Sequence, residues 1–457
     1  MKKKKQEKLL NAIKALLTKG NYDQAGGLFS ALKPADKAIV FYDLTEAEKI
    51  NLLPNLPAED AADILEELHE DDALKMAEQL DGQVLGRILD KMQPDEAADL
   101  LGDFAEKRRM LLLNKMVNQS KVKPLLDYPD DSAGGLMTTQ YYAFDETMTV
   151  GATIQVIKSI EGLHEEIPYI YVLDQNRRLT GVMRLADLFR AHPQNGLHEI
   201  MRRQVVSVGD FDDQEKAARL VDRYNLYAIP VVNDEGQLMG VITADDALAA
   251  IEVETSEDML RSVGIMADRE KEIFKSDKII NDPIPKIWLR RIPYLIITLL
   301  GGMLAGSIIG IYEEALEAVV ILAFFFPVIM DMGGNAGVQS TTIFIRAHAL
   351  GQITNNRFLK HLAREFAIGV SMAVLLGVIA GLIAGIWQGA EIGLTVGLAL
   401  TTTVILADVL GFVIPFILIK LGADPAAGSD PFITTIKDIT GLLIYFLFAF
   451  QFLTVLG

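Results

Sequence analysis

Residues 432–457 read FITTIKDITGLLIYFLFAFQFLTVLG, an apolar segment long enough to cross a bilayer as one helix. Its two charged residues, Lys437 and Asp438, lie about two helical turns from its start. The long Lys437 side chain is expected to reach back to the cytoplasmic interface, whereas the shorter Asp438 side chain must face the bundle interior or water. An ionisable side chain at this depth predicts a functional site, and a cation pathway is the simplest kind.

Four other stretches are long and apolar enough to span a hydrocarbon core of about 30 Å as helices. With the last segment they predict five transmembrane helices within residues 288–457. The chain is therefore expected to be a multi-pass protein of the inner or plasma membrane, with the lipid bilayer as a partner. The four stretches are residues 292–312, 318–345, 366–390 and 392–419.

The connections between these spans differ in charge, and cytoplasmic connections carry the excess of Lys and Arg. This bias predicts a cytoplasmic N-terminus and a C-terminus outside the cell. No secretory signal is expected, because the basic residues 1–5 lead into an amphipathic stretch rather than a continuous apolar one. The basic connections hold Lys286, Arg290, Arg291, Arg346, Arg357, Lys360, Arg364 and Lys420, and the opposite ones hold Glu313, Glu314, Glu317 and Glu391.

The second span is interrupted by polar residues, and residues 327–337 read PVIMDMGGNAG. Pro327 predicts a kink towards water, and the glycines allow either close approach of another helix or local unwinding. Asp331 and Asn335, four residues apart, are expected to share one face. One deep carboxylate, Asp438, among amides and hydroxyls suits a hydrated Mg²⁺, although these grounds leave other divalent cations open. An odd span number without an inverted repeat favours a two-fold homodimer with both Asp438 side chains on the axis.

The soluble part is strongly acidic, since the first 287 residues hold 35 Lys and Arg against 51 Asp and Glu. This charge argues against nucleic acid as a partner and suits cations. The chain has no cysteine, which excludes disulfides and thiolate metal sites. The six histidines are scattered, and neither a P-loop nor a nucleophile elbow occurs, so no enzyme is predicted.

Two internal repeats organise the soluble part. AADIL at residues 61–65 recurs 36 residues later as AADLL, which predicts a small α-helical superhelix over residues 1–128. Residues 172–187 align without a gap with residues 231–246, 59 positions on, and each copy reads as strand, polar turn, strand and helix start. This second pattern resembles a tandem CBS (α+β) pair, which we assign to residues 129–253. Residues 254–287 are expected to form a connecting helix that either transmits motion or serves as a passive linker.

Acidic residues recur in clusters through the soluble part. Any one cluster alone fits a solvated helix face. Like charges a few ångströms apart repel by about 1 to 4 kcal/mol per pair at a surface-like dielectric, so compaction of these units would be opposed unless divalent cations bridge them. The pattern predicts a sensor that closes with bound metal and loosens without it.

The chain resembles the MgtE family of Mg²⁺ channels in the order of its parts. These are helical repeats, DSAGGLMT at residues 131–138, a CBS pair, a connecting helix and five spans. The resemblance covers nearly the whole chain. Its other specific parts are the 327–337 segment continuing through Gln339 and Arg346, DPA at 424–426, and KDITGLLIY at 437–445.

The resemblance implies a homodimer that conducts Mg²⁺ inward, with the hydrated ion near Asp438 and with Asp424 close to the cytoplasmic mouth. It further implies that Mg²⁺ bound between the helical domain, the CBS pair and the connecting helix closes the pore. Asn225 and Ala249 stand where a similar protein has acids. CBS pairs in similar proteins can bind adenine nucleotides, and that ligand stays open here. The implied sensor positions are Asp63, Asp95, Asp99, Asp213, Glu215, Asp246, Glu254, Glu257 and Asp258.

The sequence therefore predicts a Mg²⁺-selective uptake channel gated by intracellular Mg²⁺. Its pore candidates are Asp331, Asn335, Asp424 and Asp438. The alternative is an ion-coupled secondary carrier of Mg²⁺ or Co²⁺ that uses Asp331, Asp408 or Asp438 as a proton relay. A CBS-regulated receptor or membrane enzyme without transport has less support, because no catalytic pairing is found.

Overall fold

The computed structural model of the chain describes residues 3–160, 168–265, 283–349, 352–353, 357–423, 425 and 429–453. The chain forms two compact units, Met1–Glu254 and Thr255–Gly457. Asp424 lies outside the described residues, and so does the middle of the predicted connecting helix, residues 266–282. The predicted domain boundaries at 128, 253 and 287 stay predictions.

Short α-helices build the first part of the first unit. Proline begins several of them, since Pro34 and Pro94 occupy the first turns of α3 and α8 and Pro57 immediately precedes α5. Thr45 and Glu48 form a capping box at the start of α4. The helices are α1 (Lys3–Thr18), α2 (Tyr22–Ser30), α3 (Pro34–Tyr42), α4 (Glu46–Leu52), α5 (Ala58–Glu67), α6 (Glu70–Gln79), α7 (Gly82–Leu89), α8 (Pro94–Gly102), α9 (Glu106–Leu113) and α10 (Gln119–Val122).

Two three-stranded sheets of the same topology follow. In each, the first strand pairs parallel with the second, and the second pairs antiparallel with the third. The elements are α11 (Ala133–Leu136), β1 (Tyr142–Asp145), α12 (Val150–Ser159), β2 (Tyr169–Leu173), β3 (Leu179–Arg184), α13 (Leu185–Leu188), α14 (Leu197–Ile200), β4 (Val208–Gly209), α15 (Gln214–Tyr224), β5 (Ala228–Val232), β6 (Leu238–Thr243) and α16 (Ala244–Ser262).

The 59-residue repeat is a repeat of structure. Strands β2 and β3 and strands β5 and β6 begin and end at positions 59 residues apart. The hydrogen bonds between the copies are reciprocal: the Leu179 N–H donates to the Gly236 carbonyl at 2.9 Å, and the Leu238 N–H donates to the Arg177 carbonyl at 3.3 Å. These residues are themselves related by the repeat, so the two copies meet about a pseudo-two-fold axis. The predicted CBS pair is confirmed.

One hydrophobic core joins the helical part to the second CBS copy. It runs from Ile13 in α1 to Ala250 in α16 and includes Ile229 and Ile242 of the second sheet. The first CBS copy has a core of its own around Ile170. Burial of apolar surface therefore links the N-terminal helices to the second copy within this unit.

The second unit holds five helices that are long and apolar enough to cross a membrane among its described residues, as predicted. The helix Ala390–Lys420 is the central helix of this unit. It packs against the helices Phe326–Ala349, Phe358–Gln388 and Ser429–Phe452. A short helix and a 3₁₀ turn (Val320–Phe325) separate the first two spans. The helices are α17 (Ile284–Ile311), α18 (Glu313–Ala318), α19 (Phe326–Ala349), α20 (Phe358–Gln388), α21 (Ala390–Lys420) and α22 (Ser429–Phe452).

Helices α20 and α21 touch backbone to backbone. A Cβ added at Gly381 would lie 2.9 Å from the Gly393 carbonyl oxygen, and one added at Gly397 would lie 2.9 Å from that of Gly377. Real Cβ atoms do not approach backbone this closely, so the crossing requires glycine on both helices.

The kink predicted at Pro327 is wrong. Pro327 lies in the first turn of α19, directly after the 3₁₀ turn, where its missing N–H needs no partner. The residues after it form a regular α-helix, so the glycines serve close packing rather than unwinding. A Cβ added at Gly337 would meet the Ala407 carbonyl oxygen of α21 at 3.3 Å.

Candidate ion pathway and cation sensor

One face of α19 is polar and exposed along the helix. Asp331, Asn335, Gln339, Thr342 and Arg346 are all exposed and follow one another at spacings of four, four, three and four residues, the period of a single helix face. The Asn335 amide donates to the Asp331 carboxylate at 3.2 Å. A polar row along a membrane span must face water or other protein, because lipid cannot satisfy these groups.

A contact between α19 and α22 shows the depth at which the pore candidate Asp438 lies. Lys437 of α22 is only 6% exposed, and its Nζ lies against Gly334, where an added Cβ would overlap it. Gly334 lies between Asp331 and Asn335, so the half-buried Asp438 stands at the same level as both. The structure thus brings three of the four predicted pore residues to one depth.

The expected extension of Lys437 to the cytoplasmic interface is wrong. The side chain is buried against α19 because Gly334 has no side chain to occupy that space. Its ammonium group therefore stays close to the level of Asp438.

Asp408 lies away from the polar face of α19. It is 2% exposed and packs on α20, with its carboxyl group against Gly369. Its Oδ2 has no hydrogen-bond partner among the described residues, and the buried Glu365 lies one helical turn before Gly369 on α20. A proton relay through Asp408 would have to pass through the inside of the helix bundle.

In the first unit, α8 and the start of α16 bring acids of the predicted sensor together. Asp95 is 6% exposed, and its Oδ1 has no hydrogen-bond partner among the described residues. Burial, and then the charge of Asp246, raise the pKa of Asp95 to about 7. Burial and the charges of Asp95 and Asp99 raise the pKa of Glu96 to about 8. Glu96 was not among the predicted sensor residues, although it directly follows Asp95.

Most of the other predicted sensor residues have protein partners. Among the described residues, no three carboxylate or histidine side chains are placed to enclose a metal ion. Asp63 pairs with the buried Lys37, Glu215 with Arg219 and Glu257 with Arg261; Asp213 accepts from the Glu215 N–H at 2.8 Å, Glu254 accepts from the Gln214 amide at 2.7 Å, and Asp258 is half-buried on α16.

A cavity of about 200 Å³ lies in the CBS pair. Its lining includes Tyr169, Tyr171, Arg184, Arg202 and Asn225. The Tyr171 hydroxyl is buried and has no hydrogen-bond partner among the described residues. Asn225 ends α15 in the left-handed conformation (φ 49°), which asparagine tolerates better than most residues.

The chain combines a five-span membrane unit, whose polar face carries carboxylates, with an acidic CBS unit. This combination defines a membrane cation transporter. Sequence profiles match the MgtE divalent cation transporters over residues 326–448, the MgtE intracellular N domain over 32–131 and the CBS domain over 197–253. The chain belongs to the MgtE family.

Two relatives are similar over nearly their full length. The magnesium transporter MgtE of Bacillus subtilis is 34% identical over 98% of this chain and 98% of its own. The magnesium transporter MgtE of Thermus thermophilus is 34% identical over 96% of this chain and 97% of its own.

Two crystal structures are similar to the soluble part. The soluble part of a magnesium transporter is 26% identical and covers 55% of this chain and 99% of its own, with a TM-score of 0.50. The cytosolic domain of the Mg²⁺ channel MgtE in complex with ATP is 31% identical and covers 52% of this chain and 99% of its own, also with a TM-score of 0.50.

Proposed function

We propose that this protein is a Mg²⁺-selective channel that carries Mg²⁺ into the cell and is closed by Mg²⁺ bound to its soluble unit. The observation that carries the proposal is the exposed polar row of α19, with Asp438 of α22 at the level of Asp331 and Asn335. Such a face provides a route for a hydrated ion where a lipid-facing helix would be apolar.

The choice of Mg²⁺ rests on the ligand types and on the relatives. Two carboxylates per chain, Asp331 and Asp438, with the Asn335 amide near them, suit an ion that keeps several of its waters and needs only one or two carboxylates from a chain. Both full-length relatives carry the name magnesium transporter. The buried position of Asp408, off the polar face, favours a channel over a carrier that relays protons through that residue.

We further propose a homodimer, with the N-terminus in the cytoplasm and the C-terminus outside. Asp331 and Asn335 are exposed in a single chain at membrane depth, which is unfavourable against lipid. A second copy related by a two-fold axis would cover this face and line one aqueous path with two Asp438 carboxylates.

The closing step is argued from the acids of α8 and α16. Asp95 and Asp246 repel, and burial disfavours the ionised form of Asp95. A divalent cation between them would remove the repulsion and pack the helical part firmly on the second CBS copy. Mg²⁺ binding in this proposal therefore stabilises the compact, closed arrangement.

The test is Mg²⁺ uptake into proteoliposomes followed with an enclosed Mg²⁺ indicator, while the Mg²⁺ concentration on the soluble-unit side is titrated. We expect uptake that does not depend on a pH gradient and that falls as Mg²⁺ on that side rises. Uptake driven by the pH gradient would instead favour the coupled carrier. Liposomes that take up no Mg²⁺ at any concentration would rule out transport.

Without Mg²⁺, the soluble unit is expected to lose thermal stability between pH 6 and pH 8. Asp95 and Glu96 have folded-state pKa values of about 7 and about 8, above their ordinary values near 4. The folded protein therefore holds protons that the unfolded chain has released, and stability falls as pH rises through this window. We expect Tm to fall by roughly 5 °C, measured by calorimetry on the full chain.

Two controls accompany that measurement. Adding Mg²⁺ at pH 8 should restore the Tm, and a variant with Asp95→Asn and Glu96→Gln should show a flatter pH dependence. A wild-type Tm that is constant or rises over this range would contradict the charge argument.

We also propose that the cavity of the CBS pair binds an adenine nucleotide. Tyr169 and Tyr171 offer aromatic surface for a purine, and Arg184 and Arg202 offer charge for phosphates. A similar cytosolic domain is described in complex with ATP. Arg202→Ala is expected to weaken ATP binding by about tenfold in calorimetric titration, because a hydrogen bond to a charged group is lost. Its control is Arg203→Ala, an exposed neighbour outside the cavity lining; equal affinities in the two variants would exclude this cavity.

A further inference from the structure

We infer that Lys437 is a specificity-determining residue of the ion path: its buried ammonium group weakens the hold of Asp438 on a divalent cation and so sets how fast Mg²⁺ leaves. This inference rests on the proposed channel function. It concerns how tightly the pore binds its ion rather than whether the pore exists.

The first support is the position of the charge. Among the described residues of the five spans, Lys437 is the only buried basic side chain. It sits against Gly334, on the helix that carries Asp331 and Asn335. A Cβ added at Gly334 would overlap the ammonium group in its present position, so a side chain there would displace it. The Lys437 side chain is therefore part of the packing between α19 and α22.

The second support is its relation to Asp438. The two residues are adjacent on α22, and both lie at the level of Asp331 and Asn335. Burying a lysine costs free energy, so the position is expensive unless opposite charge is near or the charge is used. A Mg²⁺ ion at the level of Asp438 meets two carboxylates, Asp331 and Asp438, and one ammonium group per chain, where the carboxylates alone would present only attraction.

The consequence follows from what conduction requires. A pore site must attract the ion enough for it to enter and release it readily enough for it to leave. Two carboxylates on a two-fold axis without compensating charge would hold a divalent cation strongly, because the attraction scales with the product of the charges. The lysine reduces that attraction while leaving the carboxylates in place.

The test is Mg²⁺ uptake by the full chain in proteoliposomes, measured over a range of external Mg²⁺ concentrations. Lys437→Met keeps the length and removes the charge. We expect its half-saturating Mg²⁺ concentration to fall about tenfold and its maximal uptake rate to fall as well, since release becomes slow. Lys437→Arg, which keeps the charge, is expected to retain the wild-type half-saturating concentration. Lys420→Met, at the exposed end of α21, is the matched control and should behave as wild type.

A purely structural role gives a different result. Damaged packing would lower the maximal rate without lowering the half-saturating concentration, and that outcome would overturn the inference. Lys437→Gln provides a second neutral variant if Lys437→Met does not assemble, and an unchanged half-saturating concentration in it would also overturn the inference. If wild-type protein takes up no Mg²⁺, the proposed function itself fails, which is a separate result.

Discussion

Asp438→Asn is expected to lower Mg²⁺ uptake by about 100-fold at unchanged protein level. Asparagine keeps the shape and the hydrogen-bonding oxygen but removes the negative charge at the level of Asp331 and Asn335. The attraction between a carboxylate and a divalent ion about 5 Å away is about 7 kcal/mol at an effective dielectric near 20, more than the roughly 3 kcal/mol that a 100-fold loss of affinity requires. The measurement is initial uptake into proteoliposomes at subsaturating Mg²⁺.

The matched control is Glu391→Gln, which removes an exposed carboxylate in the first turn of α21. It should leave uptake within about twofold of wild type, because an exposed charge in high dielectric contributes little at a distance. Uptake by Asp438→Asn equal to that of Glu391→Gln would remove Asp438 from the pathway, and with it the central element of the proposed pore.

The second large effect is expected from the sensor acids. In a variant with Asp95→Asn and Asp246→Asn, internal Mg²⁺ should no longer shut off uptake, and the half-inhibitory concentration should rise at least about tenfold. The carboxylates that would bind the ion are then absent, so Mg²⁺ can no longer bridge α8 to α16 and hold the compact, closed arrangement. Uptake at low internal Mg²⁺ should remain close to wild type.

This pair of point variants is a sharper test than removal of the helical part. Deleting residues 1–128 is also expected to leave a pore that stays open at high Mg²⁺, but it would uncover the core that the helices share with the second CBS copy. The control is Asp234→Asn with Glu235→Gln, two exposed acids in the β5–β6 turn. Normal shut-off in the Asp95 and Asp246 variant would show that these acids do not sense Mg²⁺.

Much of the fold was predictable because the sequence repeats one structural unit and contains long apolar stretches. The ungapped 59-residue repeat placed both pairs of CBS strands, and the length of the apolar stretches set the number of spans. The polar row of α19 was also readable from its spacing. Gln339 and Arg346 belong to the segment that resembles the MgtE family, but they were not predicted to share a face with Asp331 and Asn335, and Thr342 was not predicted as a functional residue.

Other features depended on partners that are remote in sequence. The direction of Lys437 is decided by Gly334, a residue more than 100 positions earlier on a different helix. Likewise, the pairing of Asp63 follows from Lys37 on α3, which the helical repeat did not indicate. Burial of Asp95 to the point of raising its pKa requires the packing of α8 near α16, a tertiary contact that no local pattern encodes.

The glycine-to-glycine crossing of α20 and α21 has a mechanical consequence. Where the two helices are in backbone contact, no side chains lie between them to rearrange. We therefore expect the α20–α21 pair to move as one rigid unit. Helix α19 meets α21 in the same way, because a Cβ added at Gly411 of α21 would overlap the Gly337 carbonyl oxygen of α19. Helix α22 instead meets α21 through side chains, since the atom nearest to a Cβ added at Gly441 belongs to the Thr403 side chain. We therefore expect the displacement that opens the path to be a movement of α22 against α19, α20 and α21.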